Sequence, residues 1–100
     1  MRKKAVVFDL KDNVATALVD FEAETNVEVE VAGKSLMVKL INSVPFGHKF
    51  SLTQIKSGSS IIKYGEIIGS ATNFIQKGEY VHVHNIASNR GRGDLEEDVK

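Results

Sequence analysis

The sequence predicts an all-β domain of short strands with one short helical turn. Apolar residues recur with a period of two rather than 3.6, as half-buried strands require. Glycines interrupt these runs at close intervals, at Gly58, Gly65, Gly69 and Gly78, where turns or bulges are expected. The chain has 100 residues, enough for one domain and too few for two.

The elements follow in order. Residues 5–8 and 15–19 read as two short strands, separated by Asp9-Leu10-Lys11-Asp12-Asn13, a run of turn formers. Val27, Val29 and Val31 then alternate with Glu28 and Glu30. After Ala32-Gly33-Lys34 the pattern resumes as Leu36, Val38 and Leu40 alternating with Met37 and Lys39. This pair reads as a β-hairpin with one buried face. The helical turn is placed at Ser51-Leu52-Thr53-Gln54-Ile55, with Ser51 as N-cap and Leu52 and Ile55 at i, i+3. Residues 61–64, 67–71 and 79–84 complete the strands. The domain is expected over residues 5–88. Residues 89–100, from Asn89 onward, are almost without apolar side chains and read as a flexible polar tail.

Composition narrows the function. Thirteen basic and thirteen acidic residues give zero formal charge, so nothing electrostatic favours nucleic acid as a partner of the whole chain. With no cysteine, a disulfide scaffold, a zinc ribbon and a thiol nucleophile are excluded. The apolar run after Met1-Arg2-Lys3-Lys4 ends at Asp9, short of the roughly 7–15 residues of a secretory segment and the roughly 20 of a membrane span. A soluble, cytoplasmic protein with no membrane partner is expected.

Four motifs carry possible chemistry. In Glu79-Tyr80-Val81-His82-Val83-His84-Asn85, strand alternation puts His82 and His84 on one face and Val81 and Val83 on the other. Two imidazoles about 7 Å apart along a strand can converge on one metal ion or one anionic substrate. A solvated strand face is the plainer reading, and two histidines need a third ligand to make a metal site. Pro45-Phe46-Gly47-His48-Lys49 aims His48 and Lys49 out of a sharp corner at Gly47, or is a turn with two exposed polar residues. Lys63, in a strand beside Tyr64, suits a carboxylate, or guards a sheet edge against aggregation. Asn13 in Asp12-Asn13-Val14-Ala15 tolerates a left-handed turn, or offers its amide to a sugar hydroxyl.

Taken in order, these motifs resemble a known family. Asp12-Asn13-Val14-Ala15, Gly47-His48-Lys49-Phe50-Ser51-Leu52 with Ile55 and Gly58, Ile62-Lys63-Tyr64-Gly65 with Ile68-Gly69 and Ala71, and Gly78-Glu79 with Val81-His82 and His84-Asn85 are similar to the N-terminal domain of the altronate and galactarate dehydratases. That domain belongs to the SAF (antifreeze-like) superfamily with a β-clip fold. The resemblance covers residues 5–88.

It implies removal of the proton α to a sugar-acid carboxylate and expulsion of the β-hydroxyl, giving a 2-keto-3-deoxy acid. It implies a divalent metal, Fe²⁺ or Mn²⁺, as Lewis acid. His48, Lys49, His82 and His84 are the implied catalytic residues, with His82 and His84 also as metal ligands. Asn13, Lys63, Tyr64 and Asn85 are the implied substrate-binding residues. Fused members carry a large lyase domain after the His-Asn motif, and this sequence has none. A small subunit is therefore expected, nearly inactive alone, acting with a separate large lyase subunit that could hold most of the metal. A sulfolactate sulfo-lyase small subunit, or a non-catalytic carbohydrate- or anion-binding module, are the alternatives.

Overall fold

Nine short strands and no helix make up residues 3–88, the described part of the computed structural model. The polar tail expected at 89–100 lies outside the described residues. In chain order the strands are β1 (Ala5–Val6), β2 (Val14–Ala17), β3 (Asn26–Val31), β4 (Lys34–Lys39), β5 (Lys49–Ser51), β6 (Ser60–Lys63), β7 (Glu66–Ala71), β8 (Tyr80–Val81) and β9 (Ile86–Ser88). They form an antiparallel sheet in the order β1-β2-β5-β8, a hairpin β3-β4, and a sheet β6-β7-β9. None of these elements is a helix long and apolar enough to cross a membrane.

Both hairpins close through two residues of positive φ. Ala32 and Gly33 (φ 53° and 79°) join β3 to β4 next to the Val31↔Lys34 pair. Tyr64 and Gly65 (φ 62° and 74°) join β6 to β7 next to Lys63↔Glu66. This is the type I′ geometry, whose twist matches that of the strands. The expected alternation then decides burial in the first hairpin. Val27, Val29 and Val38 are buried while Glu28 and Glu30 are exposed.

The connecting loops repeat one device four times. A buried apolar residue, Phe21, Val44, Ile55 or Ile75, leads into a turn, and these residues pair as the bridges Phe21↔Val44 and Ile55↔Ile75. In each turn the fourth residue's N–H donates to the first residue's carbonyl: Thr25 to Glu22, His48 to Pro45, Ser59 to Lys56, Glu79 to Gln76. The third residue, Glu24, Gly47, Gly58 or Gly78, has φ between 74° and 89°, as a type II turn demands. Its N–H donates to a facing carbonyl, and the facing residue donates back to the next carbonyl. The pairs are Glu24 and Thr25 with Leu40, Gly47 and His48 with Ala17, Gly58 and Ser59 with Ala71, and Gly78 and Glu79 with Ser51.

Two apolar clusters result. The first joins Phe21, Val27, Val29, Val38, Leu40 and Phe50 among others, with Phe21 and Phe50 edge to face at 6.2 Å. The second joins Val14, Ile55, Ile61, Ala71, Ile75 and Val81. The four-stranded sheet lies between them: Ala15, Ala17 and Phe50 belong to the first cluster, Val14 and Val81 to the second.

Two sequence expectations are corrected. Residues 51–55 form no helical turn: Ser51 ends β5, and its hydroxyl donates to the Thr53 carbonyl. Leu52 joins the first cluster and Ile55 the second, so the two never share a helical face. The last expected strand stops at Val81. Residues 82–85 turn instead, closed by Asn85 and Ile86 N–H groups on the His82 carbonyl, and lead into an unexpected β9.

The turn glycines differ in cost. A Cβ at Gly78 would collide with the backbone carbonyl oxygen of Lys39, whereas one at Gly58 would meet open space. Gly78→Ala is expected to lose about 3 kcal/mol or more in denaturant unfolding. Gly58→Ala, strained only by its positive φ, should lose about 1 kcal/mol.

Candidate functional site

Register puts the histidines together. β5 and β8 pair as Lys49↔Val81 and Phe50↔Tyr80, so one step further along the ladder His48 faces His82. Their rings lie 4.6 Å apart between centroids. Tyr80, on the same face by alternation, hydrogen-bonds His48 Nδ1 through its hydroxyl at 2.7 Å and stacks on His82 at 5.6 Å with 11° between planes. The His84 ring lies 5.4 Å from that of Tyr80. The three imidazoles thus surround one phenol.

The reason differs from strand alternation. Val81 is fully buried but Val83 is 79 % exposed, so the two valines share no face. The turn at 82–85 carries His84 back over Tyr80. Asn85 builds that turn: its Oδ1 accepts from His82 N–H at 2.9 Å, and its Nδ2 donates to the Tyr80 carbonyl at 2.9 Å. Only 2 % of Asn85 is exposed, so its amide is spent on building the turn.

The Asn13 side chain is half-buried and also bonded within the fold. Its Oδ1 accepts from Ile62 N–H at 2.8 Å and its Nδ2 donates to the Ser60 carbonyl at 2.9 Å. The amide acts as a strand partner for β6.

Lys63 and Tyr64 sit on an adjoining surface. Lys63 Nζ lies 4.9 Å from the Tyr64 ring and 5.6 Å from that of Phe8, and the two rings are 4.6 Å apart. Buried Asp12 arranges this contact, accepting from Gly65 N–H through Oδ1 and from Phe8 and Asp9 N–H through Oδ2. Phe8, Asp12 and Tyr80 were absent from the expected set. Only Tyr80 left a signal, since it precedes His82 and His84 at the same spacing of two.

The electrostatics are one-sided. Burial, and then the charge of Lys63, lower the Lys49 pKa below the usual lysine value. His82 is lowered below the ordinary imidazole value, first by desolvation and then by His48, Lys49 and His84. Among the described residues, no carboxylate forms an ion pair with any of these five groups. No group of three or more His, Cys, Asp or Glu side chains is placed to hold a metal ion. A cleft of about 760 Å³ between β1 and the β3-β4 hairpin contains none of the imidazoles. In the basic cluster His84 is exposed and His48, Lys49, Lys63 and His82 are half-buried.

Two measurements check this site. Because the fold disfavours the protonated His82, the unfolded chain binds more protons between the lowered value and 6.5. Stability should therefore rise with pH through that window, and the rise should shrink in His82→Gln. In a proton NMR titration, Lys49→Met should move the His82 midpoint up toward 6.5 by removing a positive neighbour. Separately, Asn85→Ala should destabilise by about 1–3 kcal/mol, since it strands a buried donor and acceptor.

Comparison with known proteins fits this arrangement. Residues 3–89 match the family described as the altronate/galactarate dehydratase SAF domain. The chain is similar to the altronate dehydratase of Escherichia coli, 45 % identical over 78 residues, covering 78 % of this chain and 15 % of that protein. It is 38 % identical over 87 residues to the altronate dehydratase of Bacillus subtilis, covering 87 % of this chain and 17 % of that one. The chain therefore spans less than a fifth of the length of these two relatives. The (2R)-sulfolactate sulfo-lyase subunit alpha of Chromohalobacter salexigens is 32 % identical over 88 residues, which cover 85 % of this chain and 94 % of that subunit. By its match across nearly all the described residues, the chain belongs to the altronate/galactarate dehydratase SAF-domain family.

Proposed function

We propose that this chain is the small subunit of a cytoplasmic sugar-acid dehydratase, converting an aldonate to a 2-keto-3-deoxy acid together with a separate large lyase subunit. The observation that carries the reading is the gathering of His48, His82, His84, Lys49 and Lys63 without a counter-charge. Such a surface suits a carboxylate and the negative charge that develops beside it. Its openness suits a site that a second surface completes. The likeness to a subunit alpha matched over 94 % of its length supports a separate partner.

In this reading the ammonium groups of Lys49 and Lys63 hold the substrate carboxylate. A neutral imidazole, His82 by its lowered pKa, takes the α-proton. The C–H electron pair passes into an enediolate, the β C–O bond breaks, and a second imidazole returns a proton to the departing hydroxyl as water. The enol product then becomes the 2-keto acid. Exposed Tyr64 beside Lys63 is placed to meet the sugar chain.

The divalent metal, Fe²⁺ or Mn²⁺, would supply Lewis-acid stabilisation of the enediolate. The described residues of this chain do not compose a site for it, and His48 Nδ1 is already bonded to Tyr80. Most of its ligands would come from the large subunit, with His84 completing the set; His82 would join them only if another group were the base, since its one bare nitrogen cannot do both.

A second reading rests on the sulfo-lyase relative: elimination of sulfite from sulfolactate. An aldonate and a sulfolactate share a carboxylate beside a carbon bearing hydroxyl and hydrogen, and differ at the β position. The basic cluster fits the shared part, so the leaving group is left to the partner.

The chain mixed with its large subunit is expected to dehydrate D-altronate. The pair His82→Ala plus His84→Ala should reduce turnover by about 10²-fold or more at unchanged melting temperature. Turnover of sulfolactate alone would favour the second reading, and binding without turnover a non-catalytic module. Full activity in the double variant would make the histidines structural.

A further inference from the structure

Among the described residues, the Tyr80 ring pairs with all three imidazoles, at 5.7, 5.6 and 5.4 Å between centroids. Its ring packs on the first apolar cluster. Its backbone is fixed on both sides, N–H to Asn42 Oδ1 at 3.0 Å and carbonyl from Asn85 Nδ2 at 2.9 Å. A group held this firmly sets the geometry of whatever it binds.

The 2.7 Å contact between the phenol and His48 Nδ1 admits two proton arrangements. A neutral imidazole has one N–H and one bare nitrogen, and a phenol has one O–H. If Nδ1–H donated to the phenol oxygen, a weak acceptor would be used and the phenol proton would be left to solvent. If the phenol donates to a bare Nδ1, the stronger donor meets the stronger acceptor at the observed 2.7 Å.

We propose that Tyr80 is the positioning residue of the cluster: its hydroxyl donates to His48 Nδ1 and fixes the tautomer in which Nε2 carries the proton. His48 then offers a hydrogen-bond donor to a substrate oxygen and cannot serve as the base while that bond holds. Proton acceptance falls to another ring of the cluster. The use made of this in catalysis rests on the proposed dehydratase function; the tautomer itself does not.

The test is a long-range ¹H–¹⁵N correlation spectrum of the labelled full chain at about pH 8, where free imidazole is neutral. The expected result is a single tautomer for His48, with bare Nδ1 and protonated Nε2. Tyr80→Phe keeps the ring and its stacking and should shift His48 to a mixture of tautomers. A protonated Nδ1 or a mixture in the unsubstituted chain would overturn the proposal, as would an unchanged pattern in a folded Tyr80→Phe variant. Should that variant not fold, the spectrum of the unsubstituted chain decides alone. If the spectra agree with expectation but Tyr80→Phe leaves dehydration by the two-subunit enzyme unchanged, the catalytic reading of His48 fails and the positioning role stands.

Discussion

The reciprocal pair of backbone hydrogen bonds at each turn fixes everything else in this domain. A residue of positive φ donates to a facing carbonyl, and the facing residue donates back one position later. Each such pair locks a change of chain direction to a particular strand residue, so it sets register as well as path. Gly47 and His48 are locked to Ala17, and Gly78 and Glu79 to Ser51. Between them these two locks align β5 with β8, and that alignment puts His48 opposite His82. Two hairpins of the same type I′ design hang from the four locks, each filling its own apolar cluster. The two halves of the fold are built alike.

The site arises where the halves differ. The residue after the left-handed position is Thr25, His48, Ser59 or Glu79, and the backbone treats all four alike. Only the second brings an imidazole. The chain after β8 then abandons the strand for the 82–85 turn, and buried Asn85 supplies the hydrogen bonds that a continuing ladder would have made. Burial first, and the gathering of like charges second, disfavour the charged forms, which is why Lys49 and His82 are both lowered. A surface evolved for stability alone would have interleaved carboxylates there. Strain of this kind concentrates at functional sites.

Much of the fold was legible because period two is local. The β3-β4 hairpin and the strands at 61–64 and 67–71 follow from alternation and from Gly33 and Gly65. The helical turn failed because Leu52 and Ile55 have the spacing of a helix but are drawn into different clusters, Ile55 by its bridge to Ile75 and Leu52 with its N–H bonded to the Asn13 carbonyl. The fourfold device was written in the sequence as Val44, Ile55 and Ile75, each three residues before a glycine, but the first copy hides it by placing Glu24 at the left-handed position. The imidazole cluster was legible by residue type. Its geometry was not, since it depends on a ladder between segments some thirty residues apart. Asn13 shows the limit most clearly: its amide partners are 47 and 49 residues away, and nothing local announces them.

The like-charge cluster has a further consequence for an anion that enters it. Desolvation, and after it repulsion from His48, Lys49 and His84, makes protonation of His82 unfavourable in the protein by itself. A carboxylate seated among them offsets that repulsion, so the affinities of Lys49 and His82 for protons rise together. In the proposed reaction binding and basicity would therefore be linked: substrate would hold the ammonium groups charged while strengthening the imidazole assigned to remove its proton. A partner surface that excludes water would strengthen both effects, because Coulomb energies grow as the local dielectric falls. In the proposed enzyme, an uncovered cluster on a small domain and a closed, reactive site would be two states of the same arrangement, separated by what covers it.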